Sequence, residues 1–394
     1  MVDKVDAMVD GVRRGGSTRA TRKEWSRRFA KQRKPQPGEW LEKLHAWADQ
    51  RKSWVRGFHH VREPGACETG TPEHRANVNA KDMARLARRI TGRAVGLALG
   101  GGGARGLAEI GVLRALEEAG VDVDLVGGTS MGAFVGGCYA MGPEDHDALV
   151  QRARSFAEKM GSIWRKLFDL TLPITSFFSG RGFNAEVVSA LGEHTRIEDL
   201  PLSYFCMTTD IVNSCEQVHD AGQLWKFVRA SMTLAGYLPP FCVDDCLLLD
   251  GGYMNNLPAD ILKRRGANVV IVVDVGAEPP QHYFNFGDAL SGWWLLWNKV
   301  NIFSGQVSVR VPSMGDISTS LAWVSSQKHY ESVVGDLNSV KDLYLRPPVS
   351  KYGTLEFDKF DEIVEHGYKY AVVEIADWLQ RNQLEDRGRC DTVG

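Results

Sequence analysis

The chain has 394 residues, a length that allows one large domain with extensions or two smaller domains. Its composition, with 43% hydrophobic and 24% charged residues, is ordinary for a globular protein, and a formal net charge of −2 gives no general electrostatic argument for nucleic-acid binding. Seven scattered cysteines fit a reducing compartment better than a disulfide framework, and the sequence predicts no metal site. No apolar stretch of about 18 residues is present, so we expect no transmembrane segment.

Residues 1–60 differ in composition from the rest of the chain. Arginine and lysine crowd residues 13–34, and a break containing proline and glycine follows them. Such a segment is most often a solvated tail, with a surface for anionic lipid and a nucleic-acid contact as the alternatives. Residues 62–80 have the composition of a linker. We therefore assign residues 1–80 to a basic extension and linker.

From residue 81 onward, predicted strands and helices alternate. A short helix at residues 82–90 precedes an apolar strand at 94–99, a glycine-rich loop, and a helix that ends near Gly120. Further strands are predicted at residues 123–126, 204–209, 247–249 and 269–273, the last being a β-branched run typical of a buried parallel strand. This alternation predicts the α/β class, with three α/β/α layers around a mostly parallel central sheet.

The loop after the first strand can present a row of backbone N–H groups to an anion. Its Gly101, Gly103 and Gly106 fit the G-x-G-x-x-G turn of a dinucleotide site, and Asp122 and Asp124 lie near the position of a ribose-binding acid. A second glycine turn, which carries a serine, follows the next strand and weighs against this interpretation, because a dinucleotide-binding unit needs no nucleophile there. A nucleotide-binding module therefore remains only the third alternative.

The second turn, Gly-Thr-Ser-Met-Gly at residues 128–132, has the G-x-S-x-G form of a nucleophile elbow, in which the serine hydroxyl stands clear of the sheet. A serine nucleophile needs a base that takes its proton. The candidate base is Asp250, which ends an apolar strand of the same predicted sheet and is followed by Gly251 and Gly252. We therefore predict Ser130 as nucleophile and Asp250 as general base.

The glycine loop with its arginine, the serine turn and the Asp-Gly-Gly turn, in this order, resemble the patatin-like phospholipase family. Over about residues 81–375, the sequence resembles the neuropathy target esterase branch of that family. The blocks that carry it are residues 105–132, 169–176, 225–232, 250–260 and 289–297. The resemblance implies a patatin-like fold, with a catalytic domain at 81–275, its core at about 97–263, and a C-terminal extension at 276–394 packed on it.

The resemblance also implies a site built on a Ser130–Asp250 dyad that requires no histidine, cofactor or metal. The residues that it implies around the oxyanion are Gly101, Gly102, Gly103 and Arg105, and the glycines of the turns are Gly106, Gly128, Gly132, Gly251 and Gly252. The alternative of a serine–aspartate–histidine triad stays open, because His282, His329 and His366 follow Asp250 in the chain. A histidine that serves only the structure is the default in each case.

The function implied by the resemblance is hydrolysis of the acyl ester of lysophosphatidylcholine and of phosphatidylcholine. It implies a peripheral contact with the membrane surface on the cytosolic side of the endoplasmic reticulum and no nucleic-acid partner. Long members of the family carry a transmembrane segment and cyclic-nucleotide-binding domains, so we interpret this chain as the catalytic part. A general carboxylesterase or acylglycerol lipase with the same dyad is one alternative, and an inactive, truncated lipid-binding relative is the other.

Two apolar groups allow a functional and a structural interpretation. The first group either lines an acyl channel or fills the core, and it consists of Phe177, Phe178, Tyr237, Leu238, Pro239 and Pro240. The second group either faces lipid or packs on the catalytic domain, and it consists of Trp293, Trp294, Leu295, Leu296 and Trp297.

Overall fold

The order of the strands in the central sheet brings the two glycine-rich turns side by side. Within the described residues, eight strands form one sheet: β1 (Val95–Leu99), β2 (Leu125–Thr129), β3 (Ser203–Asp210), β4 (Cys215–His219), β5 (Phe241–Val243), β6 (Cys246–Asp250), β7 (Val269–Val273) and β8 (Leu343–Leu345). Their order is β5-β6-β3-β2-β1-β7-β8, with β4 paired to β3. Strands β3, β2, β1, β7 and β8 are parallel, whereas β4 and β6 run antiparallel to β3. Because β1 and β2 are adjacent and parallel, the turns that follow them lie at the same edge.

The computed structural model describes residues 59–62, 72–161, 169–276, 285–300, 311, 314–337 and 341–391. All of them belong to one compact unit, His59–Gly394. The basic segment predicted at the N-terminus lies outside the described residues except for its last two, as does most of the first half of the predicted linker. The domain boundaries predicted at residues 80 and 275 stay predictions.

Helices cover both faces of the sheet. In chain order they are α1 (Pro72–Ile90), α2 (Ala108–Glu118), α3 (Met131–Met141), α4 (His146–Gly161), α5 (Arg181–Leu191), α6 (Leu224–Ser231), α7 (Ala259–Arg264), α8 (Gly292–Val300), α9 (Met314–Gly335) and α10 (Phe360–Asp391). Successive residues of a strand point to opposite faces, and the core divides accordingly. Leu97 and Leu99 pack in one apolar cluster with Phe134 of α3, whereas Ala98 packs in another with Leu262 of α7. The predicted three-layer α/β/α fold is therefore confirmed.

Helix α1 is longer than the sequence indicates. It begins at Pro72, so residues 72–80, which were predicted to be linker, are helical. The buried face of this helix carries charge, because Asp82 and Arg85 are both buried and form an ion pair at 2.7 Å. Arg62 also contacts Asp82, at 2.8 Å. The residues that the prediction missed, 72–80, are mostly polar or small, so this part of the helix lacks the apolar periodicity on which the prediction relied.

The C-terminal helix α10 packs on α2, the helix that follows the glycine loop. At the crossing the two backbones approach closely, because a Cβ atom on Gly111 of α2 would collide with the Val364 carbonyl, and one on Gly367 of α10 with the Ala108 carbonyl. The same region of the chain supplies β8 to the sheet, in parallel register with β7. Residues beyond 275 are thus built into the sheet as well as packed against it.

Candidate active site

Ser130 occupies a strained turn between β2, which ends at Thr129, and α3, which begins at Met131. Its φ of +54° and ψ of −119° are unfavourable for a residue with a side chain. The backbone N–H of Ser130 donates to Oγ of the buried Ser231 at 2.9 Å, which holds the turn. Both flanking glycines are required by space, because a Cβ on Gly128 would collide with the Gly132 carbonyl, and one on Gly132 with the Leu99 carbonyl.

Asp250 ends β6 and lies beside this serine. The Gly252 N–H donates to Oδ1 of Asp250 at 2.8 Å, and Ser130 and Asp250 line the same cavity. The side chain of Asp250 is almost fully buried, at 4% exposure. Burial raises the pKa of Asp250 to about 6, against the opposing effect of the nearby Ser130 hydroxyl and the Gly252 N–H. The structure thus brings together the predicted nucleophile and a carboxylate whose basicity is higher than that of an ordinary aspartate.

The glycine loop lies directly against Ser130. A Cβ on Gly101 would lie 2.9 Å from the Ser130 Cβ, so only glycine fits there without displacement. The Gly101 N–H donates to Oδ1 of Asn256 at 3.0 Å, and Nδ2 of Asn256 donates to the Gly101 carbonyl at 3.2 Å. In the part of the chain that the structure describes, the N–H groups of Gly102 and Gly103 have no acceptor. Of the predicted oxyanion residues, these two therefore have the free donors.

Arg105 lines the same cavity, but its guanidinium contacts the chain rather than the reaction centre. Nε donates to the Val275 carbonyl at 3.2 Å and Nη1 to the Tyr352 carbonyl at 3.1 Å, and the side chain is buried. Burial lowers the pKa of Arg105 below the usual value for arginine. Arg105 thus ties the glycine loop to the segment that follows β7 and to the C-terminal part of the chain, a role that its position in the motif did not indicate.

A cavity of about 800 Å³ opens over Ser130 and Asp250. Three of the predicted channel residues, Phe178, Tyr237 and Leu238, line it, whereas Phe177, Pro239 and Pro240 are not part of its wall. The remaining apolar wall comes from Met131, Met160, Leu170, Phe183, Met232, Leu234, Trp323, Leu355 and Phe357. A cavity of this size and polarity suits a small or medium-sized apolar group such as an acyl chain.

Sequence reasoning missed most of this wall, because its residues come from segments far apart in the chain. Met160 lies on α4, Phe183 on α5 and Trp323 on α9, and each resembles an ordinary core residue in its local sequence. Asn256 was missed as well, although it follows the Asp-Gly-Gly turn by only a few residues. The Asp-Gly-Gly turn just before Asn256 was the one local signal that could have indicated this residue.

None of the described histidines lines the cavity, and several of them contact groups away from the dyad. Nε2 of His219 is 2.6 Å from the Thr208 hydroxyl, and burial lowers the pKa of His219 to about 4. His329 lies 3.5 Å from Asp260, and His366 contacts the Glu362 carbonyl at 2.7 Å. His282 lies outside the described residues. The structure therefore offers no support for a histidine as third member of the site.

The acidic residues that fitted a ribose-binding site are used elsewhere. Asp124 accepts hydrogen bonds from Arg88 at 2.8 Å and from the Val95 N–H at 2.9 Å, and Asp122 forms a 3.0 Å ion pair with Arg88. These contacts fasten α1 to the start of β1. Because their carboxylates are engaged in these contacts, Asp122 and Asp124 do not fit the role of the acid that binds the ribose in a dinucleotide site.

The tryptophan-rich segment forms α8, and its rings are exposed. Trp293 is 83% exposed and Trp297 is 70% exposed, whereas Leu296 lies outside the residues whose side chains are described. Among the helices that the structure describes, none is long and apolar enough to cross a bilayer. Which of the two interpretations of this segment holds stays a prediction.

The fold and the serine turn place the chain in the α/β/α class that includes serine hydrolases, and comparison with known proteins defines its family. The model of the family described as "Patatin-like phospholipase" matches residues 97–263. The mouse "Patatin-like phospholipase domain-containing protein 7" is 49% identical over 306 residues, which are 77% of this chain and 22% of that protein. The chain therefore belongs to the patatin-like phospholipase family, in the branch of the neuropathy target esterases.

Two further relatives lie in the same branch. "Lysophospholipase NTE1" of Scheffersomyces stipitis is 46% identical over 77% of this chain and 19% of that protein. "Neuropathy target esterase sws" of Drosophila melanogaster is 44% identical over 83% of this chain and 23% of that protein. The chain thus spans about a fifth of the length of the curated relatives that it matches.

Proposed function

We propose that this chain is a serine lipid hydrolase that cleaves the acyl ester of lysophospholipids, and of phosphatidylcholine, through Ser130 and Asp250. The observation that carries the proposal is that Ser130, in its strained turn, and the buried Asp250 carboxylate both line an apolar cavity of about 800 Å³. Two of the relatives, one named a lysophospholipase and one a neuropathy target esterase, support the same chemistry.

In the proposed mechanism, Ser130 Oγ attacks the acyl carbonyl while Asp250 takes the hydroxyl proton. The free N–H groups of Gly102 and Gly103 hydrogen bond to the developing oxyanion, and each such donor contributes roughly 3 kcal/mol to lowering the barrier. The C–O bond to the glycerol then breaks, and Asp250 returns the proton to the leaving alcohol. Water, deprotonated by Asp250, then attacks the acyl-enzyme, the bond to Ser130 Oγ breaks, and Asp250 returns the proton to Ser130 as the fatty acid leaves.

The reaction is tested by measuring fatty-acid release from lysophosphatidylcholine by the purified chain and by its Ser130→Ala and Asp250→Asn variants. We expect both variants to lose activity by about 10⁴-fold, because each lacks one half of the nucleophile and base pair. Asp245→Asn is the matched control, since Asp245 is exposed and lies outside the cavity wall. Far-ultraviolet circular dichroism of each variant checks that the fold is retained.

Hydrolysis that persists in Ser130→Ala would rule out this serine as the nucleophile. A wild-type chain that releases no fatty acid, yet is labelled at Ser130 by a fluorophosphonate, would favour an armed serine with another ester as substrate. Failure of both assays would favour the inactive, lipid-binding relative.

We also propose that the chain acts at a lipid surface, since the apolar side chains beside its cavity are exposed. Residues 170–178 form a short hairpin closed by a bridge between Leu170 and Phe178, and both of these residues line the cavity. Between them, Leu172 is 77% exposed and Ile174 is 89% exposed. The cytosolic face of the endoplasmic reticulum, as the site of action, stays a prediction supported by the resemblance alone.

A further inference from the structure

The cavity over Ser130 has three cationic side chains in its wall, and two of them are already engaged. Lys159 forms an ion pair with Glu186 at 2.6 Å, and Arg105 donates to two backbone carbonyls. The third is Arg181, the first residue of α5. Among the described residues, its guanidinium has no hydrogen-bond or ion-pair partner. Its backbone N–H donates to the Ser179 hydroxyl at 3.3 Å.

The backbone that carries Arg181 is held firmly in place. Gly180 adopts a left-handed conformation with φ of +81°, and its N–H donates to Asp169 at 3.1 Å. The Ser179 hydroxyl donates to the same carboxylate. The Asp169 carboxylate is therefore occupied by these hydrogen bonds. Glu186, another acidic residue of the cavity wall, forms its ion pair with Lys159. Arg181 is exposed, so its guanidinium lies at the mouth of the cavity and not at its floor.

The chemistry of a lysophospholipid matches this arrangement. When the acyl chain lies in the apolar cavity with its ester at Ser130, the phosphate is only a few bonds farther along the molecule. The phosphate then lies near the mouth, where a cationic side chain can bind it. Arginine presents a planar set of N–H groups that can donate to two phosphate oxygens at once.

We propose that Arg181 binds the headgroup phosphate of the substrate and forms a phosphate subsite at the mouth of the acyl cavity. This inference rests on the proposed function, because it assumes an acyl ester at Ser130. It makes Arg181 the residue that distinguishes a phosphate-bearing lysolipid from an uncharged acylglycerol with the same acyl chain.

The test compares kcat and KM for decanoyl lysophosphatidylcholine and for decanoyl monoacylglycerol, in the wild type and in Arg181→Ala. We expect Arg181→Ala to lower kcat/KM for the lysophospholipid about tenfold or more, mainly through KM, as the loss of a charge-assisted hydrogen bond predicts. The monoacylglycerol has no phosphate, so its kcat/KM should be unchanged. Arg181→Lys should restore part of the loss, and Arg93→Ala is the control, since Arg93 is exposed outside the cavity wall.

An equal loss for both substrates, or no loss for either, would overturn the role of Arg181. Binding is measured separately by calorimetry in the Ser130→Ala protein, with and without Arg181→Ala, using the same two lipids below their micelle concentrations. Arg181→Ala should weaken binding of the lysophospholipid only. If the wild type hydrolyses neither lipid, the proposed function fails, whereas the binding comparison still decides whether Arg181 recognises the phosphate.

Discussion

Asp250 shows how a single residue acquires its chemistry from its surroundings. An exposed aspartate is a weak base toward a serine hydroxyl, but burial raises the pKa of Asp250 to about 6 and so strengthens its basicity. The Ser130 hydroxyl and the Gly252 N–H oppose this shift by stabilising the charged form. The residue therefore stays ionised at neutral pH, as a general base must, and binds its proton more strongly than a solvated carboxylate does.

This pKa predicts the acid limb of the pH profile. Asp250 can accept the Ser130 proton only when it is ionised, so kcat/KM should fall about tenfold per pH unit as the pH drops below about 6, and should level off above it. Initial rates on a soluble short-chain ester, measured between about pH 4.5 and pH 8, check this expectation. A profile that stays flat down to about pH 5 would mean that the carboxyl is less buried, or that another group is the base.

At the scale of elements, the glycine loop is shaped by a clamp from the segment that follows β6. Asn256 accepts from the Gly101 N–H and donates to the Gly101 carbonyl, and so holds both sides of one residue. Among the described residues, the Gly102 and Gly103 amides are left without an acceptor, as the proposed oxyanion site requires. The loop and the Asp250 turn are thereby joined, although they lie far apart in the chain.

Removing this clamp should slow the chemical step more than it weakens substrate binding. We expect Asn256→Ala to lower kcat by about 10²-fold with little change in KM, because misaligned loop amides stabilise the transition state poorly. Asn256→Asp keeps an acceptor for the Gly101 N–H but loses the donor, so its kcat should lie between those of the wild type and Asn256→Ala. Steady-state kinetics and thermal melting check this. A variant whose KM rises while kcat is kept would show that Asn256 contacts substrate instead.

Elements with a clear local pattern were predicted well, and elements without one were not. The β-branched run became β7, and the helix after the glycine loop became α2, ending near the predicted Gly120. Strand β2 was predicted to end at residue 126 but extends to Thr129, directly before the serine. The extension contains Gly127 and Gly128, which have low strand propensity and are kept in the sheet by pairing with β1 and β3.

At the scale of the whole molecule, the proposed contact with a lipid surface depends on the side chains around the cavity. The hairpin at residues 170–178 exposes Leu172 and Ile174 beside the cavity wall. Contact of these side chains with a membrane would exclude water from between the membrane-bound substrate and the serine. Burying these side chains in a lipid surface would offset the cost of their exposure by roughly 2 kcal/mol each. Short, exposed aliphatic side chains of this kind are suited to shallow insertion.

We therefore predict that Leu172→Asp combined with Ile174→Asp weakens binding to phosphatidylcholine vesicles about tenfold or more, as measured by cosedimentation. Hydrolysis of a soluble short-chain ester should remain unchanged, since neither side chain forms part of the cavity wall. Ile90→Asp is the matched control, because Ile90 is as exposed as Leu172 but lies at the end of α1. Unchanged vesicle binding in the double variant would exclude this hairpin as the lipid contact.

The sequence by itself determined the alternation of strands and helices, the strained serine turn and the strand-end aspartate. Those features depend on local periodicity and on the backbone freedom of glycine, which neighbouring residues encode directly. The tertiary structure alone decided the wall of the cavity, the Asn256 clamp, the contacts of Arg105 and the place of Arg181 in the cavity wall. Each of these depends on residues separated by long stretches of chain, and no local pattern specifies which distant side chains will meet when the sheet forms.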